Sequence, residues 1–142
     1  MNHEPLRTAG RWLLGAALLG AGIGHLTTQR EEFQAQVPDW FPVDADLVVL
    51  ASGVVEITLG LALLALPRHR IRVGWVVAAF FVGVFPGNIA QYVEGTDAFG
   101  LDTDAARLTR LFFQPVLVAW ALWSTGAWRA WRSASRAKPS PP

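Results

Sequence analysis

Four long apolar stretches constrain this chain more than any other feature: Arg7–Thr28, Asp46–Leu66, Ile71–Val93 and Arg107–Trp131. Each is long enough to cross the ~30 Å hydrocarbon core of a bilayer as a helix, which takes about 20 residues. In a chain of 142 residues little is left over to build a separate water-soluble core. The expected fold class is therefore all-α, an antiparallel four-helix transmembrane bundle. It occupies residues 1–131, with spans at about 7–28, 46–66, 71–93 and 107–131. A basic Pro/Ser-rich tail, 132–142, is expected to be disordered on the cytoplasmic side.

The formal net charge of +1 hides a strong asymmetry. Arg7 and Arg11 open the first stretch, Arg68, Arg70 and Arg72 fill the second loop, and Arg129, Arg132, Arg136 and Lys138 close the chain. The other two loops hold Glu31, Glu32, Asp39, Asp44, Glu94, Asp97, Asp102 and Asp104. Excess Lys/Arg in short loops marks the cytoplasmic side, so both termini are expected there. Trp12, Trp75, Trp128 and Trp131 then fall at the inner boundary, and Phe33, Trp40, Phe41, Tyr92 and Phe99 at the outer one, as interfacial belts do. The lipid bilayer is the partner this pattern implies. Topology accounts for the basic residues, which leaves no surface for nucleic acid. A cleaved signal peptide is the competing reading of Trp12–Ile23, but no small-x-small cleavage site follows and the run continues into His25.

Within the spans the polar exceptions are His25, Ser52, Glu56, Asn88, Arg110 and Gln114. An ionisable group at that depth costs several kcal/mol (~2.5–3.5 by insertion scales), so each is a functional hypothesis by default. At ~1.5 Å of rise per residue, alternating span directions put all of them in the outer half. A helical side chain leans toward its own N-terminus, so Glu56 reaches outward while His25 and Asn88 reach inward. Ser52, Glu56 and Gly60 share one face of the second span; Arg107, Arg110 and Gln114 share one on the fourth; Asn88, Gln91 and Tyr92 share one on the third. These side chains are expected to meet in a ligand pocket. FPGN, Phe85–Asn88, fits beside it: Pro86 removes a backbone bond and kinks the helix, and Gly87 admits a close neighbour. Other uses stay open: Asn88 as interhelical glue, Glu56 in a buried pair, and Arg107 as a snorkelling interface anchor. Gly20 and Gly24 form a small-xxx-small pair, expected to pack tightly against another helix.

The pieces Gly24–His25, SGVVEITLGLALL from Ser52, FPGNI from Phe85, and RLFFQ from Arg110 followed by Trp120 occur in an order that resembles the DoxX family of small four-helix membrane proteins. Gly87 stands where that family usually has alanine, and Phe112 where it has proline. The resemblance runs from Arg7 to Trp131 and implies a multi-pass protein of a bacterial plasma membrane. It further implies a binding or accessory subunit for a small amphipathic ligand, a quinone or a lipid, working with an oxidoreductase partner. A catalytic quinone-linked redox subunit and a purely structural scaffold are the alternatives. Residues weigh against autonomous redox chemistry. Cysteine is absent, which excludes thiol catalysis and cysteine-ligated metal; of the 3 histidines, His3 and His69 lie outside the spans. No catalytic residue, metal-ligand set or covalently bound cofactor is expected.

Overall fold

The computed structural model describes residues 3–137. They form helices α1 (Glu4–Leu26), α2 (Arg30–Gln34), α3 (Ala45–Ala65), α4 (Arg70–Glu94), α5 (Asp104–Ser124) and α6 (Ala127–Arg136), with a 3-10 turn at Pro67–His69. Among the described residues the chain is all-helical and has no strand.

Local chemistry sets the helix ends. Asp44 caps α3 by accepting the Leu47 N–H at 3.1 Å, and Thr103 caps α5 by accepting that of Ala106 at 3.2 Å. Gly95, at φ 65°, ends α4 in the left-handed conformation that costs glycine nothing. Pro86 does not end a helix: α4 runs through it to Glu94. Its ring nitrogen still has no hydrogen to give the Val82 carbonyl.

Packing follows small residues rather than large ones. A Cβ on Gly22 would lie 2.7 Å from the Gly53 carbonyl oxygen, and one on Gly60 would lie 2.7 Å from that of Gly15. These contacts pair the start of α1 with the end of α3, so the two helices run antiparallel with their backbones touching. The expected Gly20–Gly24 pair makes no such contact. Gly20 has open space around it, and Gly24 meets only the Gln29 side chain. The spacing that matters is seven residues, two turns of one face, on each helix. A second antiparallel pair forms where Gln114 of α5 donates to the Phe81 carbonyl of α4 at 3.0 Å and Arg110 reaches Gln91 at 3.0 Å. Trp120 joins the pairs by donating its indole N–H to the Gly10 carbonyl at 3.0 Å.

The dry core lies at the end nearer the termini. Leu14, Leu18, Leu59, Leu63, Val77, Ala78, Phe81 and Ala121 meet there from all four long helices. Arg11, placed by sequence at the membrane edge, is buried there and donates to the Leu63 carbonyl.

The last stretch is not one helix. Thr125 and Gly126, at φ 77°, turn the chain before α6. Residues 132–136, expected in a disordered tail, therefore continue a helix, while Lys138–Pro142 lie outside the described residues. The reason is amphipathicity: Trp128 and Trp131 share one face of α6 and Arg129, Arg132 and Arg136 another. Loop one, residues 27–44 between α1 and α3, is not all irregular. It carries α2, pinned to α3 by Arg30 Nε to Asp46 Oδ1 at 2.6 Å; this bond holds the Arg30 guanidinium pKa above its ordinary value.

Two stretches, Ala45–Ala65 and Pro67–Glu94, are long and apolar enough to cross a membrane by length and composition. Helices α1 and α5 match them in length, with 23 and 21 residues, but their averages are diluted by Arg7, Arg11 and His25 and by Arg107, Arg110 and Gln114.

Candidate functional site

The site forms where the dry core gives out, beside the Gly22–Gly53 end of the glycine seam. A cavity of about 630 Å³ opens between α1, α3, α4 and α5 at the end away from the termini. His25, Ser52, Glu56, Asn88, Arg110 and Gln114 all line it, as do Pro86 and Gly87. Most of the remaining wall is apolar, including Leu18, Val84 and Leu117.

His25 and Glu56 form the innermost polar pair. Gly53 makes it possible, because a Cβ there would sit 2.8 Å from that of His25. Nδ1 of His25 lies 2.7 Å from Glu56 Oε2 and 3.0 Å from the Ala21 carbonyl oxygen. One nitrogen cannot direct one hydrogen at both. With the hydrogen on the Ala21 contact, Glu56 Oε2 is buried, in ion-pair range, yet has no hydrogen-bond donor aimed at it among the described residues. Asn88, 8% exposed, lines the same cavity. A buried polar atom such as Glu56 Oε2 costs about 1–3 kcal/mol when unpaired.

Arg110 does not pair with Glu56. Its Nη1 donates to Gln91 Oε1 at 3.0 Å and its Nη2 to Gln36 Oε1 at 3.2 Å, and Gln36 in turn donates to Gln91 at 3.2 Å. The guanidinium lies over the Phe99 ring, 5.2 Å from its centroid. Phe99 packs edge-on against Phe33 at 4.6 Å, and Phe33 stacks on the His25 imidazole at 3.3 Å. Phe99 is also a non-glycine residue at φ 56°, held there while its N–H donates to Glu32 Oε2 at 2.7 Å. Such backbone strain persists only where surrounding contacts over-determine it. Loops one and three are thereby tied together across the mouth, and Val37, Pro38, Trp40 and Phe41 line the cavity from loop one.

Arg107 is not a snorkelling anchor. It is 7% exposed and binds the Thr96 carbonyl at 3.3 Å, Asp104 at 2.8 Å, and Asp97. Its work is to shape loop three, residues 95–103 between α4 and α5. Gln36, Phe33 and Phe99 are the site residues that sequence reading missed. They come from loops, where helical spacing gives no register; the aromatics read only as belt residues.

Chemically, the cavity offers a carboxylate oxygen, an imidazole, an amide and a guanidinium on an otherwise apolar wall. That suits a molecule with one polar end. Among the described residues no three His, Asp or Glu side chains group to hold a metal ion.

These features define the chain as an all-helical protein built around a partly polar internal cavity. Residues 14–125 match the family described as Domain of unknown function (DUF8561), and the chain belongs to that family. No curated protein and no solved structure matches it significantly.

Proposed function

We propose that the protein is a four-span antiparallel membrane bundle with both termini cytoplasmic. In this reading it is a binding or accessory subunit that holds a small amphipathic ligand, a quinone or a lipid. The observation that carries the reading is Glu56 Oε2, buried without a donor among the described residues, with the Asn88 amide lining the same largely apolar cavity. A ligand hydroxyl donates to Glu56, a ligand carbonyl accepts from Asn88, and the tail lies against Leu18, Val84 and Leu117.

Membrane insertion is supported by which side chains face out. Only 33% of each of the two apolar stretches is buried, whereas the core helix of a soluble protein is mostly covered. The ionisable residues that dilute α1 and α5 include Arg11, His25 and Arg107, all turned inward. Outside stand Leu13, Ile23, Leu108, Phe112, Phe113 and Val116. A polar interior under an apolar exterior is unfavourable in water and favourable in lipid. The motif resemblance to the DoxX family accords with the same reading and suggests an oxidoreductase as the partner served by the bound ligand.

A structural-scaffold reading draws on the Arg110–Gln91–Gln36 network, whose members satisfy one another. The two readings differ in one result. Native mass spectrometry and solvent extraction of gently purified protein should find one quinone or lipid species retained per chain and lost in Glu56→Leu; a chain with no such Glu56-dependent species would leave the scaffold. Topology is tested separately. Since the sequence has 0 cysteines, single cysteines at Ser135 and Asp97 should label from opposite sides of the membrane. Labelling from the same side would end the four-span reading.

A further inference from the structure

A second groove lies along α4 and α5, sharing Phe81 and Gln114 with the cavity described above and running from there toward the termini. It holds about 660 Å³ between α4, α5 and α6, with Val82, Phe85, Val118, Trp123 and Trp128 among its walls and Arg7 at its terminal end. Along α5 it runs from Gln114 to Trp123, or ~14 Å of helix. The walls alone specify only an alkyl chain. Arg7 adds the second requirement.

Nε and Nη1 of Arg7 are buried and have no hydrogen-bond partner among the described residues. The nearest carboxylate is Glu4, whose Oε1 is 3.9 Å away, beyond hydrogen-bond reach. Glu4 is already engaged, with Arg129 at 2.9 Å and Arg70 at 3.4 Å. Three arginines therefore share one carboxylate beside the groove. Positive charge is in excess there, and a guanidinium matches phosphate with geometry that a carboxylate-poor site leaves unused.

We infer that this groove binds an anionic phospholipid of the leaflet nearer the termini, with the phosphate on Arg7 and Arg129 and an acyl chain along α5. A free phosphate leaves the apolar walls uncovered, and a neutral lipid leaves Arg7 without its anion. Trp128 and Trp131, 46% and 50% exposed on α6, suit the headgroup level that this places them at. The inference rests on the membrane-spanning part of the proposed function and is independent of the ligand in the other cavity.

The test is native mass spectrometry of the full chain from detergent containing equimolar phosphatidylglycerol and phosphatidylcholine. Wild type should retain phosphatidylglycerol at least about fivefold over phosphatidylcholine. Arg7→Met should bring the ratio close to one, and Ala119→Trp, which fills the groove, should shed the lipid. Arg136→Met, which removes an exposed charge elsewhere on α6, should change nothing. An unchanged ratio in Arg7→Met, an equal loss in Arg136→Met, or displacement of the lipid by inorganic phosphate alone would overturn the proposal. A melting temperature of Arg7→Met close to that of wild type in the same detergent reports that the variant is folded. Carbonate extraction separates the two failures: a chain that stays in the membrane without Arg7-dependent lipid sinks this site alone, whereas a chain released by carbonate sinks the four-span reading.

Discussion

Glu56→Gln is expected to keep the helices packed and to lose at least about tenfold in ligand retention, equivalent to roughly 1.4 kcal/mol of binding. The substitution conserves shape but replaces one acceptor oxygen with a donor nitrogen. In the wild type, Oε2 sits 2.7 Å from His25 Nδ1 without a hydrogen directed at it, and the carboxylate lines the cavity where a ligand hydroxyl would meet it. Glu56→Leu separates this account from a structural one. Where buried polar groups serve only packing, replacing them with apolar residues is often neutral or stabilising by about 1–4 kcal/mol. A ligand site instead predicts that Glu56→Leu leaves the fold intact and empties the cavity. Thermal stability and ligand content of both variants, in the same detergent, decide it. A stable Glu56→Leu protein that keeps its ligand removes Glu56 from the site.

Gly22→Val should destabilise the fold by about 1–3 kcal/mol or more, while Gly20→Val should leave it unchanged or slightly more stable. The contrast follows from what each new side chain meets. At Gly22 a Cβ lies 2.7 Å from the Gly53 carbonyl oxygen and 2.9 Å from the Ile57 backbone nitrogen, so no flexible side chain can swing aside. At Gly20 nothing lies within 4 Å. Forcing α1 from α3 also moves His25, whose Cβ rests against Gly53, so the Gly22 variant should lose ligand as well as melting temperature. Equal melting of the two variants would show that the glycine seam is not what holds this helix pair.

Much of the site is legible in the sequence because helices impose arithmetic. Spacing of three and four puts Ser52 with Glu56 and Arg110 with Gln114 on common faces, and rise per residue puts them at similar depth. The six residues selected this way line a single cavity. The lean of each side chain also anticipates that His25, not Arg110, neighbours Glu56. What the arithmetic cannot supply is partner choice. Arg110 turns to Gln91 and Gln36, and Gln36 belongs to a loop with no period. The glycine seam shows the same limit: a four-residue motif at Gly20 and Gly24 is the visible signal, but tertiary packing selects Gly15 and Gly22. Residues 132–136 read as tail because their composition resembles a linker, while the alternation of Trp and Arg that makes α6 amphipathic begins upstream, in what looks like the fourth span. Gly126 hides that boundary until its positive φ is seen.

The core and the cavity divide the molecule mechanically. Leu14, Leu63, Val77 and Ala121 lock the four long helices at one end, as a dense interior resists deformation. At the other end the α1–α3 pair, still in contact at Gly22 and Gly53, faces α4 and α5 across empty volume, with loops laid across the mouth. The bundle is a clamp with a stiff root and compliant tips. Amide hydrogen exchange should accordingly be slowest around Leu14, Leu63 and Val77 and fastest in the last turns of α4 and in loop three. Admitting a ligand then requires only that the tips spread, so binding at one end leaves the root and the basic ends of the helices undisturbed.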